Sequence, residues 1–138
     1  MKGQTSLELM VTVGIVIAFT IPVLFLLLSV TSIGYEDTAK AQAEAASRTL
    51  ADTMNSVYSQ GDGAERRILL NVPASTERVY ATDEGEVVVQ IKTAAGSFEA
   101  VHPTIAEVGS PSDLGETTGL FLVDVENDDG EVELRVPE

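Results

Sequence analysis

Few side chains in this 138-residue chain are placed to do chemistry. The single histidine, His102, sits beside Pro103 with no companion nucleophile or metal ligand. A nucleophilic pair needs a base within hydrogen-bond reach, and a zinc centre needs three or four ligands. The chain has no cysteine, which removes thiolate ligands and disulfides. The acidic stretch from Asp124 to Glu133 invites comparison with a calcium loop, whose sixth position must be glycine. Counted from Asp124, that position is Asp129, so a solvated hairpin is expected instead, with a looser carboxylate site for cations as the alternative. No glycine-rich phosphate loop is present, and neither Asn55, Asn71 nor Asn127 begins a glycosylation sequon. Catalytic, cofactor and metal sites are therefore expected to be none, and the protein is not expected to be an enzyme. One carboxylate stands out: Glu8, at the mouth of a long apolar run. Drawn toward hydrocarbon, a bare carboxylate costs a few kcal/mol, and the start of a helix returns only a fraction of that.

The run itself extends from Leu9 to Ile33 without a charged residue. At about 1.5 Å per helical residue it reaches roughly 37 Å, against a hydrocarbon core of about 30 Å. It lacks the polar stripe of a soluble core helix. Thr12, Thr20, Ser29, Thr31 and Ser32 fit such a helix because small hydroxyls bond back to the backbone. Residues 9–33 are thus expected to enter a membrane. They are too many for the h-region of an ordinary secretory signal. An A-x-A sequence at Ala39-Lys40-Ala41 lies well beyond the run and inside a helix pattern.

Of 22 acidic residues only Glu8, and of 8 basic ones only Lys2, precede Gly34, so the remainder carries the whole net charge of −14. Such a body repels nucleic acid and anionic lipid, and neither is expected as a partner.

From Tyr35 to Ser59 strong helix formers dominate. Ala39, Ala43, Ala46, Leu50, Met54 and Val57 recur at helical spacing as one stripe. Leu50, Met54 and Val57 are expected to pack on the chain's own globular part. Ala39, Ala43 and Ala46 could equally face neighbouring molecules. Pro22 and Gly34 are the two expected helix irregularities, and Gly61-Asp62-Gly63 should end the helix. Beyond it, alternation predicts strands at Glu86–Lys92 and Glu131–Val136, the latter with Val132, Leu134 and Val136 inward. Leu120–Val125 and Ile68–Val72 are apolar strands, and Glu77–Thr82 and Ser97–Val101 are weaker ones. Turns are expected at 83–85, 94–96 and 127–130, and a loop from Pro103 to Gly119. The predicted class is α+β: a long N-terminal helix, then five or six antiparallel strands in a small sandwich or open barrel.

The stretch Lys2-Gly3-Gln4-Thr5-Ser6-Leu7-Glu8, followed by the apolar run, resembles the class III signal peptide of archaeal type IV prepilins. The resemblance is close over about the first 33 residues. More loosely, residues 57–64 and 69–73 resemble small archaeal proteins with such signals. It implies cleavage by a prepilin peptidase between Gly3 and Gln4, on the cytoplasmic side, leaving the helix attached. Gln4 would then be the mature first residue and Glu8 the fifth, where type IV pilins usually hold a glutamate. The family also implies that Glu8 serves filament assembly by pairing with the Gln4 amine of a neighbouring copy. The implied organisation is a signal peptide at 1–3, a membrane and filament-core helix at 4–33, its amphipathic continuation at 34–60, and an acidic extracytoplasmic β-domain at 61–138. The implied partners are the prepilin peptidase, the pilus assembly machinery in the membrane, and copies of the chain in a helical surface filament. Lys2 inside and a translocated C-terminus agree with the positive-inside tendency. The alternative expectation is a monomeric single-pass protein whose β-domain is a binding module, an adhesin or a motility accessory.

Overall fold

A computed structural model describes residues 2–109 and 112–138. The chain divides into two compact units, Met1–Glu36 and Asp37–Glu138. One helix, α1 (Lys2–Gln60), contributes to both. Among the described residues seven strands follow: β1 (Glu65–Val72), β2 (Thr76–Ala81), β3 (Glu86–Thr93), β4 (Gly96–Pro103), β5 (Asp113–Gly115), β6 (Gly119–Asp128) and β7 (Glu131–Arg135). They form two antiparallel sheets, ordered β1-β6-β7 and β4-β3-β2-β5, with no closed barrel among the described residues.

In the first unit every large apolar side chain from Leu7 to Ile33 is exposed, Phe19 by 73%. Thr12, Thr20, Ser29, Thr31 and Ser32 each donate to the carbonyl four residues back, at 2.7–3.0 Å. These bonds satisfy the hydroxyls without any outside partner, as the sequence led us to expect. The apolar part of α1 is long enough to cross a membrane.

In the second unit α1 buries a broad face: Ala43, Ala46, Ser47, Leu50, Ala51, Thr53, Met54 and Val57. Both sheets contribute to the same core, with Val79, Val87, Val89 and Ile91 from one and Leu70, Val123, Val125, Val132 and Leu134 from the other. Ala43 and Ala46 are covered by this core, and Ala39 packs partly against it. Ala43 and Ala46 therefore do not face neighbouring molecules, because the chain's own sheets occupy their side. Small residues there let the strands approach the helix backbone. Each fully buried Val, Leu, Ile or Met side chain of this core stabilises the fold by about 1.5–3 kcal/mol.

The helix lies against one edge strand of each sheet. Glu44, Ser47 and Arg48 line a groove with Phe98 to His102 of β4. Gln42, Ala45 and Thr49 line another with Leu69 to Asn71 of β1. At the opposite edges the sheets meet through the segment before β5, where Val108 bridges Val132 and Gly109 N donates to Val132 O at 2.9 Å. A β-carbon at Gly109 would come within 2.9 Å of Glu133 Cγ, so a residue with no side chain lets this segment lie flat on β7.

The predicted turns at 83–85, 94–96 and 127–130 all join antiparallel neighbours. In the last, Asp129 (φ 53) and Gly130 (φ 89) both adopt the left-handed conformation that tight hairpins demand. The loop expected from Pro103 to Gly119 holds the short strand β5, whose one buried side chain is Leu114. Val136, expected inward, is 41% exposed because β7 ends at Arg135.

Candidate functional site

Gly3, Gln4, Glu8, Pro22 and Gly34 all lie within α1. The helix runs without interruption through Pro22 and Gly34. Proline has no amide hydrogen, so the Ala18 carbonyl lacks its usual partner four residues on. Glycine inside a helix costs about 1 kcal/mol relative to alanine. At Gly3, Gly14 and Gly34 a β-carbon would meet nothing within 4 Å. Packing inside the chain therefore gives no reason for these glycines.

Glu8 is exposed, and its backbone carbonyl accepts from Thr12 Oγ1 at 2.8 Å. Among the described residues its carboxylate has no hydrogen bond and no ion pair. All five residues belong to the first unit, and among the described residues no group neutralises Glu8.

Elsewhere the polar groups are used structurally. Arg67 Nε and Nη2 donate to Asp124 Oδ1 and Oδ2 at 2.6 and 2.8 Å, across directly paired positions of β1 and β6. The guanidinium holds the Asp124 carboxyl below the usual carboxylate range. Arg78 on β2 binds Asp113 on β5 through two donors and lowers its pKa in the same way. Asn55 of α1 accepts from Thr104 Oγ1 and from Ile105 N, fixing the segment after β4. Asp62 Oδ1, in the turn after α1, accepts from Asp129 N at 2.8 Å and so braces the turn of the acidic hairpin. Among the described residues no group of three or more histidine, cysteine or acidic side chains could hold a metal ion. His102 lines the groove with Glu44, Ser47 and Arg48, where the Ser47 hydroxyl donates to the Glu44 carbonyl at 2.9 Å.

Sequence reasoning missed Asn55 and Gly109 as organising positions. It also missed that Leu69, Leu120 and Leu122 are exposed on the outer face of the three-stranded sheet. For the last two the alternation of β6 carried the signal: Phe121, Val123 and Val125 point inward, so their neighbours must point out.

Fold and charge define an α+β protein with an apolar N-terminal helix, of membrane-crossing length, and an acidic unit of two antiparallel sheets. No family model, no curated protein and no solved structure matches the chain.

Proposed function

We propose that the chain is a structural subunit of an archaeal type IV pilus-like surface filament, held in the membrane by its N-terminal helix before assembly. The observation that carries this reading is the carboxylate of Glu8, without a partner among the described residues, at the head of a helix whose large apolar side chains from Leu7 to Ile33 are all exposed. Apolar surface of that extent requires lipid or other apolar helices around it. A carboxylate among them requires a cationic partner, which the chain does not supply from its own side chains. After cleavage between Gly3 and Gln4, the new Gln4 amine of a neighbouring copy would be that partner. The uncrowded Gly3 fits a residue kept for a peptidase rather than for packing. In the filament, residues 4–33 form the core, and the acidic β-rich units form the coat.

The test is the mass of the mature N-terminal peptide in protein from the native host. It should begin at Gln4. A chain that retains Met1, or one cut near Ala41, would remove the filament reading in favour of a single-pass anchor carrying a binding module.

A further inference from the structure

Asp-Gly is the dipeptide in which an aspartate side chain is most easily attacked by the next backbone nitrogen, since glycine has no β-carbon to hinder the approach. The chain contains it twice, at Asp62-Gly63 after α1 and at Asp129-Gly130 between β6 and β7. Asp62, Gly63 and Asp129 are all exposed. The fold brings the two pairs together, because Asp129 N donates to Asp62 Oδ1 at 2.8 Å.

Beside them lies Asn127, only 2% exposed. Gly63 N donates to its backbone carbonyl at 2.9 Å, and Gly130 N to its Oδ1 at 3.1 Å. Its Nδ2 donates to Val57 O, near the end of α1, at 3.5 Å. That contact fixes which way round the amide lies. Turned over, it would set donor against donor at Gly130 and acceptor against acceptor at Val57. One residue therefore holds the reactive nitrogen of both pairs.

The two pairs are not held equally. In Asp62-Gly63 both reacting groups are fixed, the carboxylate by Asp129 N and the amide by main chain. In Asp129-Gly130 only the nitrogen is fixed, and by a side chain; among the described residues the Asp129 carboxylate accepts no hydrogen bond. With φ values of 53 and 89, Asp129 and Gly130 form the two-residue turn of a type I′ hairpin. Attack requires rotation about the Cα–C bond of Asp129, which carries the Gly130 amide off Asn127.

We propose that Asp129 is a modification site, the residue at which this chain isomerises to isoaspartate, and that the Asn127 side chain sets the rate. The Gly130 nitrogen forms a bond to Asp129 Cγ. One carboxyl oxygen leaves as water, taking the amide hydrogen and a proton from solvent, and a cyclic succinimide results. Water then opens the ring. Where it adds to the former backbone carbonyl of Asp129, that carbon's bond to nitrogen breaks and isoaspartate remains. Water is the only co-reactant. The product has an extra methylene in its backbone, which the two-residue turn between the paired Asp128 and Glu131 does not accommodate. Isomerised copies therefore lose the hairpin that Asp62 braces, whether or not the chain assembles into filaments.

For the test, full-length protein in detergent is incubated at neutral pH in heavy-oxygen water and digested. Mass spectrometry then counts isoaspartate at residues 62 and 129, each ring opening leaving one heavy oxygen. Rates in the folded chain are divided by those of the same site in denaturant. In wild type this ratio should be at least about threefold higher at 129 than at 62, the size expected from one hydrogen bond. Asn127→Ala should raise the rate at 129 by at least about threefold and leave 62 unchanged, because the Gly63 amide is bound by main chain. A rise by the same factor at both sites, as general unfolding would give, or no rise at 129, would overturn the proposal. Where Asn127→Ala does not fold, the wild-type comparison decides: a ratio at 129 equal to or below that at 62 overturns it.

Discussion

Glu8 and Gly85 are constrained for opposite reasons. Among the described residues no side chain holds the Glu8 carboxylate, so its replacement should spare folding. Glu8→Ala should leave membrane levels of the protein unchanged, since losing a carboxylate at the edge of an apolar run only eases insertion. Assembly should suffer, because the Gln4 amine of the neighbouring copy would be stranded at a cost of roughly 3–5 kcal/mol. Shed filaments should fall at least tenfold relative to membrane-bound protein. Filaments of normal number would make Glu8 a simple helix-end charge. Gly85, by contrast, is fixed twice by the fold. Its φ is +82, and an added β-carbon would come within 2.9 Å of the Thr104 carbonyl oxygen. That oxygen belongs to a residue whose own amide donates to Gly85 O at 2.8 Å, so the backbone cannot simply retreat. Gly85→Ala should therefore destabilise the β-rich unit by about 1–3 kcal/mol, read as a lower midpoint in denaturant.

At the level of elements, the two ends of α1 answer to different surroundings. Leu50 is fully buried, so Leu50→Ala should cost the β-rich unit about 2–5 kcal/mol in thermal or denaturant unfolding. Leu24 is 53% exposed in the apolar unit, and Leu24→Ala should leave that transition in place. The strand pairs add a dependence on acid. Asp124 and Asp113 have folded-state pKa values below their ordinary ones, through hydrogen bonds from Arg67 and Arg78. Their contribution is present in full above the unfolded carboxylate value near 4 and declines as pH falls through the lowered folded values. Arg67→Gln removes the cause for Asp124. The melting temperatures of wild type and variant should therefore converge as pH is lowered from about 6 to about 3. A gap that widens toward acid would contradict the pairing. Much of this architecture was legible in the sequence, because period and turn chemistry are local. The stripe from Ala43 to Val57, the alternation of β3 and β7, and the Asp129-Gly130 turn could all be read residue by residue. What was not legible depended on partners distant in sequence. β5 has only Leu114 to mark it, and its place is set by Arg78 on β2. Whether Ala43 and Ala46 faced their own sheets or another molecule could be decided only by the strands that cover them.

For the molecule as a whole, the division near Glu36 predicts that the acidic part is self-sufficient. A fragment from Tyr35 to Glu138 retains every residue of the shared core. It should be soluble, β-rich with one helix by circular dichroism, and should unfold cooperatively. A disordered fragment would mean that the β-rich unit needs the anchor to fold. The functional reading was carried by residues 2–8 and by the uncharged run, the part of the sequence with the fewest internal contacts. That follows from physics. Side chains that serve another molecule find nothing to touch in an isolated chain, so the structure shows them as open surface and assigns them no role. The pairing of β1 with β6 has a further consequence, in time rather than in space. Arg67 and Asp124 are 57 residues apart, whereas β2, β3 and β4 follow one another through short turns. The local meander can form as soon as its own residues emerge, but β1 must wait for almost the entire chain before its partner exists. Until then the strand next to the helix has an open edge, and an unpaired edge is where chains join wrongly. The like charges along the rest of the molecule then act before the fold is complete, by keeping unfinished copies apart until β6 arrives.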